Sequence, residues 1–473
     1  MTTLTRAAQK SRLRPLLSAA VIGLLATGCR TYEQQNRVIQ SWQQGSLPSA
    51  AAEATKMADQ NANTKDAIVW RLEQGAVLRG AGMYQDSNTA FDTAQGKIDQ
   101  YSQEAKVKVG NEAGALLSNL ANLPYTGRAY DGIMLNTYRA LNYLQLGEPD
   151  KARVELIRAY QRQQDAVADN QRRIEKVQDE AAKSKDKATM DKAQQDPGFQ
   201  SQVQGTCADL DRLKPYANYV NPFTVYLDGL FFMANAADAS DLERAHKSLE
   251  RVAGFADGND YVKQDLAALD NLMKGKPLTP TTYVIFETGC APLRGQIRID
   301  IPIIVTKVSY VGAAFPTLKP QGNYVPSLTV TASGTSQTTS LVASMDGVIG
   351  LDFKNEMPVV ITKTIAATVT KAVAAYGVNE AANKQDAVLG FISQVATAGY
   401  QMAVNIADTR TWTTLPKEFQ VCRISTPPDR NLELTVGGSQ KTTVTIADGT
   451  INIVYVKSIT ATSPLLVTQM KLK

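Results

Sequence analysis

The sequence predicts an α+β multidomain chain: an all-α region of helical repeats, then a β-rich sheet or sandwich region carrying an inserted helical hairpin. Three observations predict it. Residues 30–275 are rich in Ala, Gln, Leu, Glu and Arg, which favour helices. Two segments in that region align at a fixed offset of 65 residues. Beyond Pro277 the chain changes to short β-branched segments separated by Gly, Pro and Asp turns.

Residues 1–28 read as a targeting segment. Arg6, Lys10, Arg12 and Arg14 precede an apolar run, PLLSAAVIGLLA, with no acidic residue nearby. The run is too short to cross a bilayer as a helix. A basic start, a short apolar middle and a small-residue end make the pattern of a secretory signal. The end, Leu25-Ala26-Thr27-Gly28-Cys29, resembles the bacterial lipobox. That resemblance implies cleavage before Cys29, a diacylglyceryl group on its sulfur and acylation of the new N-terminus. More than one acyl chain gives stable membrane anchoring. Arg30 after the cysteine favours the outer membrane under the enterobacterial sorting rule.

Charge and cysteine usage narrow the functions. The 50 basic and 45 acidic residues give +5, but the signal holds four of the basic ones. The remaining chain is nearly neutral, which gives no electrostatic case for nucleic acid. After lipidation Cys207, Cys290 and Cys422 remain. Cys290 and Cys422 share the β-rich region and form the candidate disulfide of an oxidising compartment. Three buried free thiols are the other reading. His246 is the one histidine, which excludes a two-histidine metal site and disfavours a His-dependent triad. The sequence has no Walker loop, GxGxxG, GxSxG or HExxH. No catalytic residue, metal site or cofactor is therefore expected.

The helical region, 29–276, carries the repeat. Gly75 matches Ala140, Gly82 matches Gly147, and Ser87 matches Ala152. Phe91 then matches Leu156, and Ala94 matches Ala159. These are the spacings of a tetratricopeptide repeat: small residues where two antiparallel helices cross, and a Gly at the turn. Tyr84 falls at the usual aromatic position of the first unit, and Pro149 replaces it in the second, at a helix start where Pro is tolerated. A third, degenerate unit places Gly229 and Ala245 at the small positions with four extra residues between them. An incomplete unit around Trp42, Gly45 and Ala50 precedes them. A generic antiparallel bundle is the plainer alternative. Such stacks usually curve around a concave surface for protein partners. The polar stretch 160–200 reads as an exposed helical extension ending near Asp196-Pro197-Gly198, without a heptad.

The β-rich region, 277–473, contains TTYVIFETG, GQIRIDIPIIVTKVSYV, SLTVTAS, NLELTVG, KTTVTIADG and INIVYVKSIT. They predict a small sheet or sandwich. Thr331–Ser340 reads as a polar link. Residues 356–407 interrupt the strands with two expected helices, 356–378 and 386–407. The second is uncharged from Ala387 to Ala407. Ser393, Gln394, Thr397, Gln401 and Asn405 are costly in hydrocarbon, which favours a buried hairpin over a membrane-contacting one.

Several segments together resemble a family of bacterial envelope lipoproteins of undefined role. They are LLSNLANLPYTGRAYDGIMLNTYRALNYLQLGEPDKARVEL, YVNPFTVYLDGL, the stretch from Phe286 to Pro316, and ADTRTWTTLP (Ala407–Pro416). The family combines tetratricopeptide-like helices with a C-terminal β-rich part, and its genes often neighbour that of the lipoprotein activator of penicillin-binding proteins. The resemblance implies a lipid-anchored envelope protein that binds other envelope proteins, in peptidoglycan synthesis or envelope assembly, and it brings no catalytic residues. In ADTRTWTTLP, Asp408 and Arg410 are spaced to bridge, and Trp412 to anchor the following strand. The segment is a helix-to-strand junction on that reading; on the other, Asp408, Arg410 and Trp412 form an interaction edge, since Trp and Arg are favoured in interface hot spots.

Overall fold

The computed structural model describes residues 37–107, 120–207, 210, 216–303, 310–381, 406–437 and 440–473. The chain is α+β, with a helical N-terminal part and a strand-rich C-terminal part. The helices are α1 (37–43), α2 (Leu47–Gln60), α3 (Ala67–Gly80), α4 (Tyr84–Val107) and α5 (Ala129–Gln145). Then follow α6 (Pro149–Ala182), α7 (Lys187–Gln195), α8 (Pro197–Cys207), α9 (Pro222–Ala234), α10 (Ala239–Phe255) and α11 (Asp260–Met273).

Two kinds of helix alternate. Every residue of α9 is buried, and α3 is buried from Ala67 to Leu78 apart from Arg71. Helices apolar all round belong inside. Their partners α4, α6 and α10 bury one stripe each: Phe91 and Ala94, Ala152, Leu156 and Ala159, and Ala245, Leu249 and Val252. Each pair crosses closely. A Cβ on Gly75 would lie 2.4 Å from the Phe91 ring, and one on Gly229 2.7 Å from Leu249. The two turns are closed alike. Gly82 has φ +77° and Gly147 φ +72°. Met83 N–H donates to Leu78 O, and Glu148 N–H to Tyr143 O, the long bond of a glycine-ended helix.

The strands are β1 (Thr281–Thr288), β2 (Leu293–Pro302), β3 (Tyr310–Lys319), β4 (Thr329–Ala332), β5 (Thr335–Thr338) and β6 (Ser340–Ser344). After helix α12 (Met345–Ala381) come β7 (Glu418–Ser425), β8 (Asn431–Val436), β9 (Gln440–Thr445), β10 (Ile451–Ser458) and β11 (Leu466–Lys471). They form a five-stranded sheet, β11-β10-β1-β7-β6, a four-stranded sheet, β5-β4-β8-β9, and the ribbon β2-β3. β1 runs parallel to β10 and antiparallel to β7.

β1 is buried along its whole length, and its alternation explains the layers. Tyr283 and Ile285 face the helices, in one apolar cluster that runs from Val38 to Leu472 through both parts of the chain. Val284 and Phe286 face the four-stranded sheet, in a second cluster with Leu432, Leu434 and Val454. The order is therefore outer helices, inner helices, five-stranded sheet, four-stranded sheet.

Three expectations change. Thr331–Ser340 is not a link: it contains the turn and second strand of the hairpin β4–β5, whose Thr and Ser residues suit an exposed sheet face. The polar stretch 160–200 is not one exposed extension. α6 ends at Ala182, and α7 and α8 fold back so that Phe199 meets Phe315 at 5.8 Å. The first inserted helix begins at Met345, not 356. The second expected helix lies outside the described residues except for Ile406 and Ala407, which are not helical.

Candidate functional site: the buried seam between helices and sheet

Charged side chains collect where the helices meet the sheet. Glu73 lies on the face of α3 turned to residues 413–414. Thr413 donates to Glu73 Oε1 through its N–H and hydroxyl, both at 2.6 Å. Thr414 donates to Oε2 the same way, at 3.1 and 2.6 Å. Burial raises the Glu73 carboxyl, and the four bonds oppose that rise. Next to this grip Trp412 packs against Phe91 and Tyr138, with centroids 5.7 and 5.9 Å away. Tyr130 and Thr411 share a hydroxyl bond at 3.0 Å.

Arg410 ties the same segment to the helical part. It pairs with Asp408 at 2.7 Å and Asp66 at 3.1 Å, and it donates to the carbonyls of Leu120 and Leu123. Arg128 in turn donates to the Arg410 carbonyl. Residues 408–414 are thus a strap across α3 and α5.

Three further carboxylates bridge the layers. Glu287 on β1 accepts from Tyr138 of α5 at 2.9 Å, from Tyr455, and from Lys457, whose ammonium lies 4.6 Å from the Trp42 ring. Burial opposes ionisation of Glu287, but Lys457 and Arg79 together hold its carboxyl below the usual range. Asp265 on α11 accepts from Tyr226 of α9, Tyr283 of β1 and Arg423 of β7, at 2.8, 2.7 and 2.9 Å. Burial outweighs those bonds and pushes its carboxyl up to about 6. Glu356 on α12 accepts from Arg128 at 2.5 Å and Arg294 at 2.8 Å. Burial would raise it, yet the two guanidinium groups hold it well below the carboxylate range.

These groups join elements rather than face a solvent-filled cleft, so their chemistry is to hold a proton or a charge in place. Among the described residues no group of three or more His, Cys, Asp and Glu is placed to hold a metal. His246 faces Asp270 at 3.4 Å on the exposed side of α10. No helix among the described residues is long and apolar enough to cross a membrane.

The residues singled out in the sequence fall as follows. Cys29 lies outside the described residues. Gly75, Phe91, Ala94, Ala140, Ala152, Leu156 and Ala159 line the crossings of α3 with α4 and of α5 with α6, and Tyr84 is half-buried at the start of α4. The candidate disulfide is not formed: Cys290 and Cys422 are free thiols. Cys290 belongs to the helix-facing cluster and Cys422 to the opposite face of the five-stranded sheet. The sheet itself separates them, and burial pushes each thiol up to about 11. The interaction-edge reading of Asp408, Arg410 and Trp412 is also corrected. Trp412 is 0 % exposed, and both charges are spent on partners within the chain.

Sequence reasoning missed Glu73, Glu287 and Asp265. For the first two a signal existed: Glu287 is the lone charge in the apolar run TTYVIFET, and Glu73 is the lone acid in AIVWRLEQGAVL. A buried charge must find partners, so each marks a bridge. No protein-family model, curated protein or solved structure matches the chain.

Proposed function

We propose that the protein is a lipid-anchored envelope lipoprotein, held in the outer membrane by Cys29 and facing the periplasm, that acts as a scaffold for other envelope proteins in peptidoglycan synthesis or envelope assembly. The observation that carries the anchoring is the LATGC sequence after a basic, then apolar, start. The binding role rests on the tetratricopeptide-like reading of the helices. In its favour are the small-against-large crossings at Gly75 and Gly229 and the like closure of the turns at Gly82 and Gly147. Because α3, α5 and α9 are covered by the chain's own sheet and strap, the partner surface falls to the outward faces of α4, α6 and α10.

In-vivo crosslinking from fractionated envelopes tests this, comparing wild type with Cys29→Ser. The expected outcome is a set of cell-wall synthases or their activators captured only by the anchored form, with Cys29→Ser leaving the membrane fraction. Equal membrane retention of both forms would remove the anchor from the proposal. A second reading, an oligomeric assembly or export component working through residues 356–407, is favoured by the uncharged run from Ala387 to Ala407. A stable monomer of the Cys29→Ser form in size measurement would end it.

A further inference from the structure

The two larger sheets end in the edge strands β11 and β6, and β5 and β9. Three of these edges are guarded. β6 carries a bulge between Leu341 and Ala343. Beside it Asn259, the N-cap of α11, donates to the carbonyls of Ser340 and Leu341, and the Ser344 N–H donates to the Tyr216 hydroxyl. β5 is a short strand of Thr, Ser and Gln, and the Tyr261 hydroxyl donates to its Thr338 carbonyl. β9 carries the exposed Lys441, and the Gln469 amide donates to its Thr445 carbonyl. Bulges, short polar strands, lysines and covering groups are what keep a sheet edge from pairing. β11 lacks them. It runs from Leu466 to Lys471 without proline or bulge, and its one charge is its last residue. Among the described residues its backbone bonds only to β10.

The outward groups of β11 can be assigned. The Leu472 N–H donates to the Ile451 carbonyl at 2.9 Å, and the pairing Asn452↔Lys471 to Lys457↔Leu466 continues from that bond. Hydrogen-bonded pairs alternate along an antiparallel ladder. Met470, Thr468 and Leu466 therefore bond to β10, and the N–H and C=O groups of Lys471, Gln469 and Val467 point outward. Side chains alternate as well. Leu466 and Met470 belong to the helix-facing cluster, and Val467 to the cluster between the sheets. Leu466 and Val467 are only half-buried, so both apolar layers thin out at this edge.

We propose that β11 is a dimerisation edge: it pairs antiparallel with β11 of a second copy of this chain, about a two-fold axis at Thr468, and joins the two five-stranded sheets into one. In that register the strand is its own complement. Leu466 of each copy meets Met470 of the other, which extends the helix-facing layer. Val467 meets Gln469, and these are the pairs whose backbone groups face outward. The two Lys471 side chains stand at opposite ends of the ribbon, so no like charges meet. Sliding the strands by one pair sets Val467 against Lys471, or Leu466 against Thr468. A strand of an unrelated protein would satisfy the same backbone groups, but the matched side chains select the second copy.

Sedimentation velocity of the Cys29→Ser form of the full chain tests the dimer. A species of about twice the monomer mass, growing with protein concentration, is expected. Gln469→Pro removes an outward N–H and no bond to β10, at an edge where proline is tolerated, and is expected to abolish that species. Gln469→Ala loses the same side-chain bonds, keeps the N–H and is expected to remain dimeric. Thr468→Cys sets two thiols across the axis in a non-hydrogen-bonded pair, with Cα atoms about 4.5 Å apart, within reach of a disulfide. Mild oxidation is expected to lock it as a covalent dimer, while the parent form and Thr443→Cys on β9 stay uncrosslinked. Should Gln469→Pro fail to fold, Thr468→Cys decides alone. A parent form that is monomeric at every concentration overturns the proposal. Slow amide exchange in β11 of that monomer would give the edge to another segment of this chain, and fast exchange would leave it to a strand of a different protein. A dimer that survives Gln469→Pro and does not crosslink at residue 468 overturns it too, by placing the contact elsewhere.

Discussion

Glu73 lies 340 positions from Thr413 and 341 from Thr414, yet it makes four hydrogen bonds with them. Removing the acceptor strands two N–H groups and two hydroxyls in a buried site. Glu73→Ala is therefore expected to cost about 2–4 kcal/mol in urea unfolding. Trp412→Ala should cost about 3–5 kcal/mol, the range for emptying a packed aromatic site. Gly75 within α3 and Gly82 in the turn after it should respond differently. Gly75→Ala drives a Cβ to 2.4 Å from Phe91 and should cost about 1–3 kcal/mol through overpacking. Gly82→Ala meets nothing within 4 Å, but it forces φ +77° on a side chain, for about 1 kcal/mol. Gly75 and Phe91 were legible from spacing alone, because a helix crossing needs a small residue opposite a large one. The grip of Glu73 was not, because nothing local says which strand will arrive over α3.

Among the elements, α11 shows how pH reaches the fold. Its Asp265 joins α9, β1 and β7 through three donors. Its carboxyl is raised to about 6 from an ordinary value of 3.8. The folded state thus binds that proton more tightly than the unfolded chain. The stabilisation it brings is complete below about pH 4 and is lost as pH rises through 6. Thermal melts across that window should show stability falling with pH, and Asp265→Asn should flatten the fall. Glu287 and Glu356 are lowered and act in the opposite sense: their contribution is present above about pH 4.5 and is lost as pH falls further. Equal slopes in wild type and Asp265→Asn would count against the assignment. Elements were readable where the apolar period was clean, as in β1, β10 and α9. They were misread where composition disguised them. Thr and Ser in β4 and β5 look like a linker, though they suit an exposed sheet face. The start of α12, MDGVIGLDFKN, carries two glycines and two aspartates, which hide its helical period.

At the scale of the whole molecule, the helical and strand-rich parts share a single apolar cluster, from Val38 and Trp42 through Trp412 to Met470 and Leu472. A chain built this way is expected to unfold in one transition, with helix and strand signals lost together in denaturant. The piece 29–276 alone would bare the faces of α3, α5 and α9 and should aggregate rather than give a folded monomer. Two resolved transitions, or a soluble folded piece, would contradict the shared core. The α+β class and the order of its parts were legible from the change in composition near Pro277. The seam between them was not, since it is made of contacts hundreds of residues apart. That seam also sets an order of assembly. β1 is the middle strand of its sheet, yet both neighbours, β7 and β10, lie more than 100 residues downstream. Its earliest-made strand must therefore wait, unpaired, while more than 100 further residues are delivered. Loop closure over that distance is slow. Until the later strands arrive the inner faces of the helices stay bare, which makes this topology one that finishes folding only when its last strands are in place and leaves a defined window in which a chaperone could act.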